Sequence, residues 1–204
     1  MHSDLVGYFG FGSLVNKHTL RTAYIDVVPA TLKGWRRHWQ ARTQTLEEDI
    51  ALLSIHPYAA SSIKGMLVID RLENLPSVDE REAGYSRLRL GLNDLDLPQG
   101  FDAPGELYVY VADEAADKAD TGALLQSYID AVLQGFRNEY GDEGVWHFVE
   151  TTTGFARPYI KDREAPLYPR SVILADQEAS LFDEAMRFAG AGPDVFLDQL
   201  TSIR

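Results

Sequence analysis

The 204-residue sequence predicts an α+β domain in which a small mixed or closed, barrel-like β-sheet is flanked by helices. Strand-like segments fill most of the first half of the chain, and the longest helix-like segments lie in the second half. This order is typical of α+β proteins rather than of alternating βαβ units. Hydrophobic residues make up 45% of the chain and include 3 Trp, 10 Tyr and 9 Phe, enough for a sizeable core. We therefore expect residues 1–204 to form a single domain.

The predicted strands are short runs that are rich in β-branched and aromatic residues. They are residues 5–11, 26–32, 35–42, 50–56, 63–70, 85–92 and 105–111. In the third run, Trp35, Arg37 and Trp39 alternate with polar residues, so one face of that strand is apolar apart from Arg37. The acidic stretch 93–104 contains Pro and Gly and is predicted to be a loop.

Helices are predicted where apolar residues recur at intervals of three or four positions. The strongest pattern covers 121–139, and the shorter predicted helices are 17–24, a part of 71–83, 143–151 and 177–188. Residues 154–171, called the arm below, contain three prolines and are predicted to cross the surface in an extended form. Residues 141–204 are therefore expected to form a helical and proline-rich C-terminal extension packed on the domain.

Charge and residue usage limit the possible functions. The chain has 19 Lys and Arg against 31 Asp and Glu, a net charge of −12, which disfavours binding to nucleic acid or to anionic membranes. It has no cysteine, so disulfides, thiol nucleophiles and thiolate metal sites are excluded. The five histidines lack metal-ligand spacing, and we expect no metal and no cofactor. Without a basic signal region or a long apolar run, the chain is expected to be soluble and cytoplasmic.

The first candidate site, called the glycine-rich loop below, is residues 9–14: Phe9, Gly10, Phe11, Gly12, Ser13 and Leu14. A buried strand leads into it, and Asn16 can cap a helix that follows. Backbone N–H groups of such a turn converge on one point, which can bind a carboxylate or phosphate or hold an oxyanion. The alternative is a plain tight turn. Neither a dinucleotide fingerprint nor a nucleophile elbow is present, because glycines that both motifs require are missing.

The second candidate site is the acidic segment, residues 79–85, which ends in Glu82, Ala83, Gly84 and Tyr85. It is predicted to lie at a helix end before a strand, with Gly84 supplying a positive φ. A carboxylate partly buried by the neighbouring sheet has a raised pKa, as a general base requires. The alternative is a solvated acidic helix end.

Together these motifs resemble the γ-glutamylcyclotransferases. The glycine-rich loop is similar to that family's FGYGSL/YGSN loop, and the acidic segment is similar to its D-x-x-E segment with a downstream Gly and Tyr. Residues 34–37, GWRR, resemble the GW(K/R)R strand of the ChaC-type, glutathione-directed branch. Ser127 and Tyr128, with Gly135 after them, resemble the helix that follows the family's sheet.

The resemblance implies a reaction and a set of roles. In this family the substrate's own α-amine attacks its γ-carbonyl and releases 5-oxoproline, so no Ser or Cys nucleophile and no cofactor are needed. Glu82 is then the expected base, and the glycine-rich loop is expected to bind the substrate. Tyr85 and Tyr128 are expected to donate hydrogen bonds to the substrate, or else to be core aromatics with satisfied hydroxyls. Arg37, with Arg36, is expected to bind a distal carboxylate, such as the glycine end of glutathione, or else to lie on a solvated strand face.

The resemblance covers roughly residues 5–140 and departs from the family's pattern in two ways. Phe11 stands where the family usually has Tyr, and the gap between Glu82 and Tyr85 is shorter than in several members. Two further readings therefore stay open, a non-catalytic module that binds small γ-glutamyl ligands and an enzyme for γ-glutamylamines. Asp162, Arg163 and Arg170 form either a clamp from the arm or a structural ion pair. The protein is expected to be a monomer or a homodimer.

Overall fold

The computed structural model describes residues 4–20, 23–41, 50–112, 122–192 and 194–196. Its strands are β1 (Leu5–Gly10), β2 (Asp26–Ala41), β3 (Ala51–Arg71), β4 (Tyr85–Leu90), β5 (Leu95–Asp96), β6 (Glu106–Ala112), β7 (Leu124–Leu125), β8 (Thr152–Thr153), β9 (Tyr159–Lys161) and β10 (Asp194–Phe196). Its α-helices are α1 (Leu75–Arg81), α2 (Gln126–Tyr140), α3 (Asp142–Glu150) and α4 (Asp176–Phe188). The predicted α+β class is confirmed.

The main sheet is mixed and curls into a half-barrel, with strand order β4-β6-β1-β3-β2-β5 and β8 paired to β2. Strand β1 lies inside the sheet, antiparallel to β3 and parallel to β6. The turn at the end of β1 therefore opens between neighbouring strands. A second, small sheet joins β10, β9 and β7, and through it the arm is attached to the start of α2.

Two predicted breaks between strands are absent. The predicted runs 26–32 and 35–42 form the single strand β2, and the runs 50–56 and 63–70 form the single strand β3. A β-bulge between Lys33 and Trp35 lets β2 continue through Gly34, whose φ is 76°. In β3, residues 57–60 are exposed to solvent, so they lack the apolar alternation that marks a half-buried strand.

The predicted helix at 17–24 is also wrong. Two 3₁₀ turns, Ser13–Val15 and Lys17–Thr19, occupy the described part of this region, and residues 21–22 lie outside it. Asn16 does cap the second turn, as predicted. Its amide also donates to a carbonyl of α2 at 2.9 Å. The Thr19 N–H and hydroxyl both donate to the Asn16 carbonyl, and these local bonds compete with an α-helical pattern.

The remaining helices agree with the periodicity in the sequence. α1 falls within 71–83, and α3 and α4 match their predicted ranges within one residue. α2 begins later than predicted, at Gln126, because Leu124–Leu125 pair as a strand. The arm departs from the prediction of an extended surface segment without regular structure. Strand β9 lies within it and pairs with β7 and β10, turns follow at 163–165 and 168–170, and Phe155, Ile160 and Asp162 are buried.

The core lies between the main sheet and the helices. α2 buries Ile129, Val132, Leu133 and Phe136 in it. Gly135 lets α2 approach the turn after β1, because a Cβ there would lie 2.6 Å from the Asn16 nitrogen. Among the described residues, no helix is long and apolar enough to cross a membrane.

Candidate functional site

The two candidate sites of the sequence meet in one cavity at the end of β1. Its lining comes from β1 and the following turn, from β3 and β6, from the α1–β4 connection and from α2. The lining residues are Phe9, Gly10, Phe11, Gly12, Ser13, Leu14, Leu53, Glu82, Tyr85, Tyr110 and Tyr128. The predicted base and every residue predicted to bind the substrate, except Arg37 and its neighbour Arg36, are therefore in the lining, and their roles stay predictions.

Glycines allow the glycine-rich loop to turn tightly at the cavity. A Cβ at Gly10 would lie 2.5 Å from the Cβ of Leu14, and one at Gly12 would lie 2.7 Å from the Tyr128 hydroxyl oxygen. The 3₁₀ turn Ser13–Val15 begins inside the loop. The Ser13 N–H donates to the Tyr128 hydroxyl oxygen, so the Leu14 N–H, which has no partner within the turn, is the one that can serve an anionic ligand.

Glu82 follows the last residue of α1, and its side chain is only 18% exposed. Its N–H donates to the Val78 carbonyl, and its own carbonyl accepts from the Tyr85 N–H, so a tight turn leads directly into β4. Gly84 takes a φ of 93° in that turn. Burial raises the pKa of the Glu82 carboxyl, while the positive charges of Arg81 and Arg170 oppose that shift. The result is a partly desolvated carboxyl suited to proton exchange with a bound ligand.

Three tyrosines line the cavity. Tyr85 donates its hydroxyl hydrogen to the Leu53 carbonyl at 2.9 Å, and Tyr110 donates to Asp79 at 2.6 Å. Burial, and then the neighbouring Tyr85, raise the pKa of Tyr128 well above its ordinary value, so its hydroxyl stays protonated near neutral pH. Tyr110 and Leu53 did not stand out in the sequence, since each follows the ordinary alternation of a buried strand.

The structure overturns the prediction that Arg37 binds the substrate. Its side chain is fully buried, its Nε donates to the Phe11 carbonyl at 2.9 Å, and its Nη1 donates to the Thr151 hydroxyl at 2.8 Å. The rings of Phe136 and Phe148 pack side by side against the guanidinium, with centroids 4.9 and 5.1 Å from its carbon, and burial lowers the pKa of Arg37 to about 9. Arg37 therefore supports the glycine-rich loop from behind. Arg36 instead lies over the Tyr58 ring at 5.4 Å on the hairpin.

The arm adds a neighbour that sequence reasoning did not assign. The ring of Tyr168 lies edge-on to Tyr128 with 5.0 Å between centroids. Arg163 pairs with Asp130 at 2.7 Å and with Asp183 at 2.8 Å, so it has the structural role. No local pattern in the sequence indicates that Tyr168 reaches α2, because the contact joins residues 40 positions apart.

Among the described residues, no group of three or more His, Asp or Glu side chains is placed to hold a metal ion. The groups available to a ligand are one desolvated carboxyl, several hydroxyls and the N–H groups of the loop. Such a set can bind a small polar anion and transfer protons.

No protein-family model matches the chain, and no curated protein matches it. Solved structures do match. One described as a gamma-glutamyl cyclotransferase is 12% identical, with 89% of this chain and 99% of that chain covered and a TM-score of 0.52. An uncharacterized protein from Homo sapiens gives the same identity, coverage and TM-score. YkqA from Bacillus subtilis is 16% identical, with 75% of this chain and 57% of that chain covered and a TM-score of 0.55. The chain therefore shares the fold of a gamma-glutamyl cyclotransferase.

Proposed function

We propose that this protein is a γ-glutamylcyclotransferase-like enzyme that releases 5-oxoproline from a small γ-glutamyl amide. The observation that carries the proposal is the meeting of Glu82 with the glycine-rich loop in one cavity. These parts are about seventy residues apart in the chain. The fold shared with a gamma-glutamyl cyclotransferase supports the same conclusion.

The proposed reaction needs no nucleophile from the protein. The substrate's α-nitrogen attacks its own γ-carbonyl carbon, a C–N bond forms, and the original amide C–N bond then breaks. Holding the glutamyl chain in a bent, near-attack geometry can contribute up to about 7–11 kcal/mol. The cavity walls formed by Phe9, Phe11 and Tyr128 are the surfaces that would enforce this bend.

Glu82 would carry the proton in both steps. Its carboxylate accepts a proton as the substrate ammonium becomes a nucleophilic amine, and it then protonates the departing nitrogen. The raised pKa of Glu82 brings it closer to that of the groups between which the proton moves. The Leu14 N–H and the Tyr128 hydroxyl, which the Ser13 N–H orients, would hold the substrate carboxylate or the oxyanion that develops on the carbonyl.

Two alternatives lead to different results. A non-catalytic module on the same fold would bind γ-glutamyl compounds without turnover, a possibility motivated by Phe11, which lacks the usual hydroxyl. An enzyme for γ-glutamylamines would release 5-oxoproline only from substrates other than glutathione and γ-glutamyl amino acids.

The test measures 5-oxoproline release from glutathione, γ-glutamyl amino acids and γ-glutamylamines by the wild type, Glu82→Gln and Glu80→Gln. Glu80 is a matched control, because it is exposed on the same helix end. We expect Glu82→Gln to lower kcat by at least about 10²-fold while ligand binding survives, and Glu80→Gln to match the wild type.

Stability provides an independent readout in the same experiment. Because the folded-state pKa of Glu82 is raised, its ionisation costs stability as pH rises from its ordinary value of 4.5 through the folded pKa. Glu82→Gln should therefore be at least as stable as the wild type at pH 7. Turnover by a folded Glu82→Gln variant at the wild-type rate would exclude Glu82 as the base, and binding without any wild-type turnover would favour the module.

A further inference from the structure

The segment of the arm that passes the cavity is held to the start of α2 by a buried carboxylate. Asp162 is 0% exposed and accepts hydrogen bonds from the Ser127 N–H at 2.8 Å and from the Leu167 N–H at 2.9 Å. The Tyr168 N–H donates to the Ser127 hydroxyl at 3.1 Å. These bonds fix the position of the residues that follow, up to Arg170.

Arg170 is a cation without an acidic partner. Its Nε donates to the Tyr168 hydroxyl at 3.2 Å, and its guanidinium lies 5.6 Å from the centre of that ring. Within the part of the chain that the structure describes, no carboxylate lies within ion-pair distance of it. The side chain is half-buried and so remains reachable by a ligand. Tyr168, over whose ring Arg170 lies, packs edge-on against the cavity residue Tyr128 with 5.0 Å between centroids, and the positive charge of Arg170 lowers the pKa of both Glu82 and Arg81.

Arg81 adds a second cation beside the same carboxylate. Its side chain is 11% exposed, and its Nε lies 3.2 Å from a Glu82 carboxylate oxygen. Its Nη2 is buried and has no hydrogen-bond partner among the described residues. Arg81 is therefore paired with Glu82, whereas Arg170 has no acidic partner among the described residues, so the region beside Glu82 keeps one unpaired positive charge in a protein whose net charge is −12. An unpartnered buried donor and a free guanidinium are the groups that a carboxylate ligand satisfies.

We propose that Arg170, with Arg81 behind it, binds a carboxylate on the leaving group, so that the preferred substrates are γ-glutamyl amino acids or peptides rather than γ-glutamylamines. The inference rests on the proposed function. Neither arginine is in the cavity lining, whereas Glu82 and the glycine-rich loop are. The part of a substrate that extends past Glu82 toward the arm is therefore the leaving group, not the glutamyl group. This assigns to Arg170 the distal role that the sequence predicted for Arg37.

The test compares γ-glutamylalanine with γ-glutamylalaninamide, which differ only in the charge of the leaving group's carboxyl end. We expect the wild type to prefer the carboxylate by about tenfold to a hundredfold in kcat/KM. Arg170→Gln should remove most of that preference, and Arg170→Lys should restore part of it. Arg89→Gln is the control, because it removes an exposed cation on β4 that has no assigned role and should leave the preference unchanged.

The ratio of kcat/KM for the two substrates separates recognition of the leaving group from any effect of Arg170 on Glu82, because a changed Glu82 pKa affects both substrates alike. Equal wild-type use of the two substrates would overturn the inference and leave the proposed function standing. An Arg170→Gln variant that lowers both rates by the same factor would also overturn it. If the folded wild type releases 5-oxoproline from neither compound nor from any other γ-glutamyl substrate, the proposed function fails.

Discussion

Replacing Asp162 by alanine should destabilise the protein by removing the cap that the arm supplies to α2. The residue before the helix, Leu125, has no side chain that can cap it. Asp162 takes over that role from a position 35 residues after Ser127. Its carboxylate also accepts hydrogen bonds from the Ser127 hydroxyl and from the Leu167 N–H.

The size of the loss follows from these contacts. The Ser127 N–H is buried, and leaving it without an acceptor costs about 1–3 kcal/mol. Losing a negative charge at a helix N-terminus costs about 0.3–1 kcal/mol more. Leu167 is 51% exposed, so water can replace the carboxylate at its N–H and that contact adds little. The free energy of unfolding should therefore fall by about 1.3–4 kcal/mol in Asp162→Ala and by about 1 kcal/mol in Asp162→Asn, which keeps one acceptor oxygen.

The assay is guanidinium unfolding followed by the fluorescence of the three tryptophans. Asp176→Ala is the matched control, because Asp176 is an exposed aspartate in the first turn of α4 and its carboxylate makes no described hydrogen bond. The free energy of unfolding of this control should fall by less than about 1 kcal/mol. The reasoning is refuted if Asp162→Ala is no less stable than the Asp176→Ala control.

Two further predictions concern pH and the glycine-rich loop. Burial, together with two neighbouring cations, lowers the pKa of His147 to about 4. The unfolded chain therefore binds this proton more readily, and stability should fall as pH drops from about 6.5 to 4. His147→Gln should flatten that part of the stability curve in urea unfolding, and an unchanged slope would contradict the assignment. Gly12→Ala places a Cβ 2.7 Å from the Tyr128 hydroxyl oxygen and should lower kcat/KM for γ-glutamyl substrates at least about tenfold. Gly105→Ala, whose Cβ meets nothing within 4 Å, should match the wild type, and equal activity of the two variants would exclude a tight fit at Gly12.

Much of the fold could be predicted because its signals are local. The apolar periodicity of α2, α3 and α4 is visible within each helix, and the strands of the first half show their β-branched and aromatic runs. Part of the candidate site could also be predicted from the sequence. A glycine-rich turn after a buried strand and an acidic helix end before a glycine are short patterns, and both line the cavity.

The errors came where a distant contact decides the local structure. The helix expected at 17–24 is replaced by 3₁₀ turns where Asn16 bonds to α2. Alternation correctly assigned Arg37 to the apolar face of its strand, but it could not show that the loop itself supplies the acceptor for that charge. A buried arginine is satisfied by whichever carbonyl the fold brings to it, and the sequence does not reveal which one.

By itself, the sequence determined the α+β class, the main helices, the glycine-rich turn and the acidic helix end, because steric preferences and hydrophobic periodicity act over a few residues. Only the tertiary structure decided that Glu82 lies at that turn, that Arg37 supports the loop from behind and that the arm brings Tyr168 against Tyr128. These outcomes depend on hydrogen bonds and charges between residues far apart in the chain. Asp162 and Ser127 are the example, because a carboxylate finds its donor only after the sheet and α2 have packed.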